Sequence, residues 1–255
     1  MIDPGKLLED AQELAQREVF GGTGGIDDKK AAAEKARGLI ADALEIYCST
    51  GNRVGESKAL RRRGYLESMA GQWADARRAF VKSVEIARIA ADRNCQAKAL
   101  RGAGLVELVA SDWVKARDML AESVQIFIEL GNREETAQAQ SELAWALRET
   151  GDAEAAIRVY QEAHENAVAT GDMDTVSRAL TSQANIYRET GFPERANEML
   201  DKALELSRGC GDALMALTVL VDISLVDGAF DRFPALQEEL DAALAEAGEA
   251  SNPCG

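Results

Sequence analysis

Small and large apolar residues mark one face of a predicted helix, and the same stripe returns at regular intervals along the chain. In each copy an alanine is followed four residues later by a large apolar residue and three residues further on by a second small one. Positions spaced by three, four and seven residues share one face of a helix, so each stripe predicts a buried helical face. The copies are Ala76, Phe80, Ser83; Ala116, Leu120, Ser123; Ala156, Tyr160, Ala163; and Ala196, Leu200, Ala203.

Another predicted helix precedes each stripe and carries a small residue at its centre. These central residues are Gly64, Gly104, Ala144 and Ala184, and the series continues at Ser224. A bulky side chain there would push two packed helices apart, so we expect the two helices of each copy to form a close antiparallel hairpin.

Turn signals separate the helices with the same regularity. Pairs such as Gly51-Asn52 and Gly131-Asn132 recur every 40 residues, and a second series, offset by 20 residues, begins at Gly71-Gln72. Glycine adopts the left-handed conformation that ends a helix, and Asn or Asp can cap the next one. The sequence thus predicts five helix–turn–helix repeats, at residues 51–90, 91–130, 131–170, 171–210 and 211–250.

This pattern resembles the tetratricopeptide repeat, whose consensus places Gly or Ala in the middle of the first helix and Ala, an aromatic residue or Leu, and Ala in the second. The segment from Ala184 to Gly191 matches it especially well. The usual repeat has about 34 residues; the longer repeat here resembles the variety found in kinesin light chain, in Leu-Gly-Asn repeat adaptors and in bacterial regulators of the maltose-activator and antibiotic-regulator type. HEAT repeats have a similar period but do not predict the small–large–small stripe.

The resemblance implies an all-α fold, a right-handed solenoid of antiparallel helix hairpins whose first helices line a concave groove. It also implies that Asn185 holds the backbone of a bound ligand. The lysine and asparagine clamp of chaperone-binding members is absent, so the resemblance does not extend to chaperone tails.

The two ends depart from the regular pattern, as the capping repeats of a solenoid should. We expect residues 1–50 to form a degenerate capping hairpin, in which a helix from Lys6 to Phe20 and a glycine-rich loop precede a second helix from Lys29 to Tyr47. A last helix from Pro234 to Ala247 and a frayed tail at 251–255 complete one continuous solenoid domain.

The charge balance limits the classes of partner. The chain has 44 Asp and Glu against 29 Lys and Arg, a net charge of -15, which opposes indiscriminate adhesion to nucleic acid or anionic lipid. The start lacks the basic and apolar regions of a secretory signal, and the longest apolar stretch, from Ala213 to Val221, is too short to span a bilayer. We expect a soluble cytoplasmic protein that does not interact with membranes.

No motif in the chain predicts catalysis. The four cysteines include no Cys-x-x-Cys pair, and His164 is the only histidine, so there is no plausible zinc site. The glycine run from Gly21 to Gly25 lacks the Lys-Ser or Lys-Thr of a phosphate-binding loop. His164 lies on a predicted helix without a Ser or Cys nucleophile. We therefore predict a protein that is not an enzyme and that has no catalytic residues, metal or cofactor.

The predicted groove is basic. Four positions of each first helix, at −6, −3, +1 and +4 from its central small residue, share the face that should line the concavity. In the four central repeats these positions hold seven basic residues and no acidic one. The candidate ligand-binding residues among them are Lys58, Arg61, Tyr65, Lys98, Arg101, Leu105, Leu108, Trp145, Arg148, Arg178, Asn185 and Arg188.

These residues allow two interpretations. Arginine can hold a carboxylate or phosphate through two parallel hydrogen bonds, Tyr65 and Trp145 could serve as apolar anchors, and Leu105 and Leu108 suggest an apolar pocket. Alternatively, the cations only solvate the helices or pair with Glu67, Glu107, Glu149 and Glu189.

The first interpretation makes the protein a scaffold or adaptor that binds an acidic peptide or protein segment with apolar residues. A second hypothesis is self-association, or docking to the rest of a larger bacterial regulator, through the apolar helix from Leu214 to Val226, with Val221 and Leu225 at groove positions. A third and weaker hypothesis is single-stranded nucleic acid on the basic and aromatic lining.

Overall fold

The computed structural model describes residues 3–20 and 25–210, and within them every regular element is helical. The chain begins with α1 (Pro4–Leu14), which continues into a π-helical segment (Ala15–Phe20). The remaining helices are α2 (Ile26–Ser49), α3 (Arg53–Met69), α4 (Trp73–Ile89), α5 (Arg93–Val109), α6 (Trp113–Glu129), α7 (Arg133–Glu149), α8 (Ala153–Thr170), α9 (Met173–Glu189) and α10 (Pro193–Cys210). The prediction of an all-α fold built from helix hairpins is confirmed.

The turns between helices follow one design. A residue with positive φ ends the helix, as at Gly51 with a φ of 68°, and the next residue caps the following helix. The Asn52 side chain accepts a hydrogen bond from the Gly55 amide at 2.9 Å, and Asp92 does the same for Cys95. Ala91 and Ser111 adopt the left-handed conformation although they are not glycine, with φ values of 54° and 59°. The repeat geometry therefore prevails over the preference of these two residues.

The chain divides into two compact units, which we call the N-terminal unit (Met1–Gly131) and the C-terminal unit (Asn132–Gly255). In each unit the small–large–small stripes form the core. Phe80 and Leu120 are buried in the N-terminal unit, and Tyr160 and Leu200 are buried in the C-terminal unit.

Close approach between helices explains the central glycines of the N-terminal unit. A Cβ added at Gly64 would lie 2.7 Å from the ring of Phe80, and one added at Gly104 would lie 2.6 Å from Leu120. These distances are shorter than ordinary van der Waals contact, so the stripe of the second helix packs directly on the backbone of the first.

The N-terminal hairpin differs in detail from its prediction. The helix expected from Lys6 to Phe20 begins two residues earlier and becomes π-helical at Ala15, while α2 extends the second predicted helix by a few residues at each end. The fifth repeat at 211–250, the helix from Leu214 to Val226, the helix from Pro234 to Ala247 and the tail lie outside the described residues, and the five-repeat division stays a prediction.

Candidate functional site

The first helices of successive hairpins lie side by side in each unit and form one continuous face. In the N-terminal unit α3 contacts α5, and in the C-terminal unit α7 contacts α9. The second helices α4 and α6 meet instead through the long side chains of Arg88 and Glu122, at 2.7 Å. The face formed by the first helices is the candidate binding surface of each unit, and we call it the first-helix face.

Tyr65 occupies the middle of this face in the N-terminal unit and contacts Lys98, Phe80 and Arg61. Its hydroxyl donates a hydrogen bond to the Lys98 carbonyl at 3.3 Å, and its ring meets Phe80 edge-to-face with 5.0 Å between centroids. The Arg61 guanidinium lies 5.8 Å from the centre of the ring. Tyr65 is half-buried, so it connects two hairpins and presents only part of its ring to a partner.

Two adjacent arginines place positive charge beside Tyr65. The Nε of Arg61 is buried and has no hydrogen-bond partner among the described residues. Burial and the neighbouring Arg61 lower the pKa of Arg62, whose side chain is half-buried. Sequence reasoning missed Arg62, because it lies one position away from the predicted lining; the run of three arginines at 61–63 was the available signal.

In the N-terminal unit, the part of the first-helix face that α5 contributes is less accessible than predicted. Lys98, Arg101 and Leu105 are half-buried on α5, and Lys58 on α3 is exposed. Leu108 is only 1 % exposed. It is therefore a core residue in this structure, and the predicted apolar pocket at Leu105 and Leu108 loses one of its two walls.

In the C-terminal unit the predicted lining residues differ in exposure and in whether they form ion pairs. Trp145 is 40 % exposed and offers an apolar surface, Arg178 is exposed, and Asn185 and Arg188 are half-buried. Arg148 behaves as the alternative interpretation proposed. Its guanidinium forms hydrogen bonds of 3.0 and 3.3 Å with the Glu189 carboxylate, and it lies 3.9 Å from Glu149.

Two buried acids of the N-terminal unit, Glu67 and Glu107, have their main partners on second helices. Glu67 accepts three hydrogen bonds from Arg37 of α2, at 3.1, 3.1 and 2.9 Å, and Glu107 accepts one from Arg77 of α4 at 2.6 Å. The alternative interpretation predicted that Glu67 and Glu107 pair with cations of the first-helix face. Their main partners lie on second helices instead, so this prediction is wrong for these two glutamates. Arg63 approaches Glu67 only to 3.8 Å.

The described residues contain no cluster of three or more His, Cys, Asp or Glu side chains that could hold a metal ion. None of the helices in the described part of the chain is long and apolar enough to cross a membrane. Cys95 is buried and Cys48 is exposed, both as free thiols.

A family model described as "Tetratricopeptide repeat" matches residues 95–167, which cover most of the hairpins α5–α6 and α7–α8. This match agrees with the hairpin geometry and with the small–large–small pattern of the core. Residues 95–167 are therefore tetratricopeptide repeat sequence, and the described hairpins have the tetratricopeptide fold. No curated protein matches it in sequence.

Solved structures share the tetratricopeptide fold at low sequence identity. The apo form of RapI is 10% identical with a TM-score of 0.77, and the match covers 96% of this chain and 84% of that one. A putative kinesin light chain from Podosopora anserina with nearly identical TPR-like repeats is 16% identical with a TM-score of 0.65, covering 82% and 98%. A Rap protein complexed with competence and sporulation factor is 14% identical with a TM-score of 0.65, covering 87% and 63%.

Proposed function

We propose that this protein is a binding scaffold whose first-helix faces hold an acidic peptide or protein segment with apolar residues. The observation that supports the proposal is unbalanced positive charge on these faces. Lys58 and Arg61 in the N-terminal unit, and Arg178 and Arg188 in the C-terminal unit, form no ion pair with any described residue. The whole chain nevertheless has a net charge of -15.

Physical chemistry favours an acidic ligand on such a surface. Positive charge confined to one face of an acidic protein attracts anions there and repels them elsewhere. An arginine whose Nε is already desolvated, as in Arg61, loses less hydration when a carboxylate binds.

Apolar surface beside the cations supplies the second half of the recognition. Trp145 is 40 % exposed on the C-terminal unit, and Tyr65 offers part of its ring on the N-terminal unit. Aromatic side chains at such positions carry much of the affinity in protein interfaces. Tetratricopeptide solenoids commonly bind through this face, and the Rap protein solved with competence and sporulation factor shows that the fold accommodates a bound factor.

Arg148 contributes less in this proposal than the sequence suggested. Its guanidinium is already bound to Glu189 at 3.0 Å, so an acidic ligand would have to displace a carboxylate that is present in the free protein. Arg178 and Arg188 are the better positions at which to test the C-terminal unit.

The test is the anisotropy of a short fluorescent peptide of alternating Glu and Leu. We expect Lys58→Glu with Arg61→Glu, and separately Arg178→Glu with Arg188→Glu, to weaken binding at least about tenfold, since each variant replaces charge-assisted contacts with repulsion. Added salt should weaken wild-type binding.

The matched control is Lys82→Glu with Arg158→Glu, which makes the same change of charge on exposed positions of second helices. It should bind like the wild type. The proposal is wrong if the control loses as much affinity as the first-helix variants, if the peptide does not bind, or if single-stranded oligothymidylate binds more tightly than the peptide.

A further inference from the structure

A cavity of about 270 Å³ lies in the N-terminal unit, between α1, the π-helical segment, α2 and α3. Its lining includes the apolar residues Ile40, Leu66 and Met69, and the residues with polar groups are Arg62, Gln12, Gln16 and Tyr65. Mostly apolar walls with a few polar groups are typical of small-molecule sites, whose volumes run from roughly 300 to 1,000 Å³. The occupant that fits is accordingly smaller than a typical drug molecule.

The next hairpin shows why the cavity exists. There the ring of Phe80 fills the corresponding space and lies so close to the neighbouring first helix that a Cβ added at Gly102 would be 2.4 Å away. Forty residues earlier in the chain, Ile40 replaces Phe80 and Arg62 replaces Gly102. The smaller side chain at Ile40 leaves space that the aromatic ring occupies in the next hairpin, and a cation stands at its edge.

Arg62 is a half-buried cation that lines this cavity. It forms no hydrogen bond or ion pair with any residue that the structure describes, and the adjacent Arg61 adds a second positive charge. Glu9 of α1 acts on Arg62 only at longer range, without forming an ion pair. A partly desolvated guanidinium is most stable when an anion binds it.

The part of the lining that comes from α1 and the π-helical segment supplies uncharged polar groups. Gln12 comes from α1 and Gln16 from the π-helical segment, and both line the cavity. Their amides can donate hydrogen bonds to an anion held by Arg62. π-Helical turns occur frequently at functional sites, where they re-orient individual side chains.

We propose that this cavity binds a small amphipathic monocarboxylate. The carboxylate pairs with the guanidinium of Arg62, and the apolar body lies against Ile40, Leu66 and Met69. The cavity shares Tyr65 with the first-helix face, but the inference does not rest on the acidic-peptide proposal, because its ligand is a small molecule and its charge partner is Arg62 rather than Lys58 or Arg61.

Isothermal titration with three probes tests the chemistry. Octanoate should bind saturably with one site per chain, whereas 1-octanol, which lacks the charge, and acetate, which lacks the apolar body, should each bind at least about tenfold more weakly. Absence of octanoate binding at concentrations on the order of 10 mM, or equal affinity for 1-octanol, overturns the proposal.

Three variants test the location. Arg62→Gln should weaken octanoate binding at least about tenfold, while Arg63→Gln, the same loss of charge on an exposed neighbour outside the cavity, should bind like the wild type. Ile40→Phe introduces the residue found at Phe80 and should abolish binding by filling the cavity. Equal loss in the two arginine variants, or full binding by Ile40→Phe, contradicts the assignment.

Circular dichroism checks that each variant folds. If Ile40→Phe does not fold, Ala15→Val adds volume at another residue that lines the cavity and should also abolish octanoate binding. Because this variant leaves Arg62 in place, retained affinity in it overturns the proposal independently of the charge variants.

Discussion

The N-terminal and C-terminal units build the same hairpin from different interactions. In the N-terminal unit an arginine of α2 and one of α4 each pair with a buried glutamate 30 residues later, Arg37 with Glu67 and Arg77 with Glu107. The corresponding positions of the C-terminal unit hold Ile157 and Tyr187. One structural position is therefore ionic in one unit and apolar in the other.

The same contrast appears within the hairpins. Ser83 and Ser123 donate hydrogen bonds to the carbonyls of Ser57 and Ala97, at 2.7 and 2.9 Å. The C-terminal unit has Ala163 and Ala203 at the equivalent positions, both fully buried.

These differences show which features the repeat requires and which features can vary between repeats. Both units keep a small residue where the helices cross, and neither depends on one particular chemistry between hairpins. An ion pair demands a specific partner, whereas an apolar contact tolerates substitution. We therefore expect single substitutions at the junctions between hairpins to cost more in the N-terminal unit.

The largest expected effect comes from breaking the Arg37–Glu67 pair. Glu67→Leu removes the acceptor of three hydrogen bonds. Among the described residues, the Arg37 guanidinium, whose side chain is 27% exposed, then keeps only Glu34 as a partner. We expect a loss of about 2–3 kcal/mol in the free energy of unfolding, measured in urea.

The double variant Arg37→Ile with Glu67→Leu sharpens this test, because it converts the junction to apolar chemistry. Replacing a buried ion pair by packed apolar side chains is often close to neutral, so the double variant should recover most of the loss. If it is as unstable as the sum of the two single variants, the two side chains are not coupled and the comparison between the units fails.

A smaller effect is expected at the helix crossings. Gly64→Ala places a Cβ 2.7 Å from the Phe80 ring, so the ring or the helix must move. Overpacking of this kind costs about 1–3 kcal/mol, and the better helix propensity of alanine returns about 1 kcal/mol. We expect a net loss of up to about 2 kcal/mol in the free energy of unfolding.

The glycine at the exposed position Gly38 of α2 provides the control, because a Cβ there meets nothing within 4 Å. Gly38→Ala should stabilise the protein by up to about 1 kcal/mol in the same urea experiment. Equal effects at Gly64 and Gly38 would show that packing against Phe80 does not explain the glycine.

The sequence was sufficient to predict the described hairpins because their determinants are local and repeated. The stripe through Ala76, Phe80 and Ser83 and the turn at Gly51-Asn52 recur every 40 residues, so each copy supports the interpretation of the others. Helix ends were predictable for the same reason: a residue with positive φ ends the helix, and at most turns, though not at Gln72, a side chain caps the next one.

The partners of individual charges were less predictable, because they depend on side-chain direction across hairpins. Glu67 has arginines near it in sequence, yet its main partner, Arg37, is 30 residues away. Leu108 has the spacing of a groove position but is buried. The sequence did not indicate a binding role for Arg62 or the π-helical segment, because only the structure places both at one cavity.

The smallest expected effect is a pH response confined to the C-terminal unit, which contains His164, the one histidine of the chain. Burial is the main cause that lowers the pKa of His164; Lys202 acts in the same direction and Glu165 opposes it. The unfolded chain therefore binds more protons than the folded one once the pH falls below about 6.5, and the free energy of unfolding declines with further acidification. Urea titrations between about pH 7 and 5.5 should show a steeper decline for the wild type than for His164→Gln. Identical slopes would mean that His164 titrates alike in the folded and unfolded states.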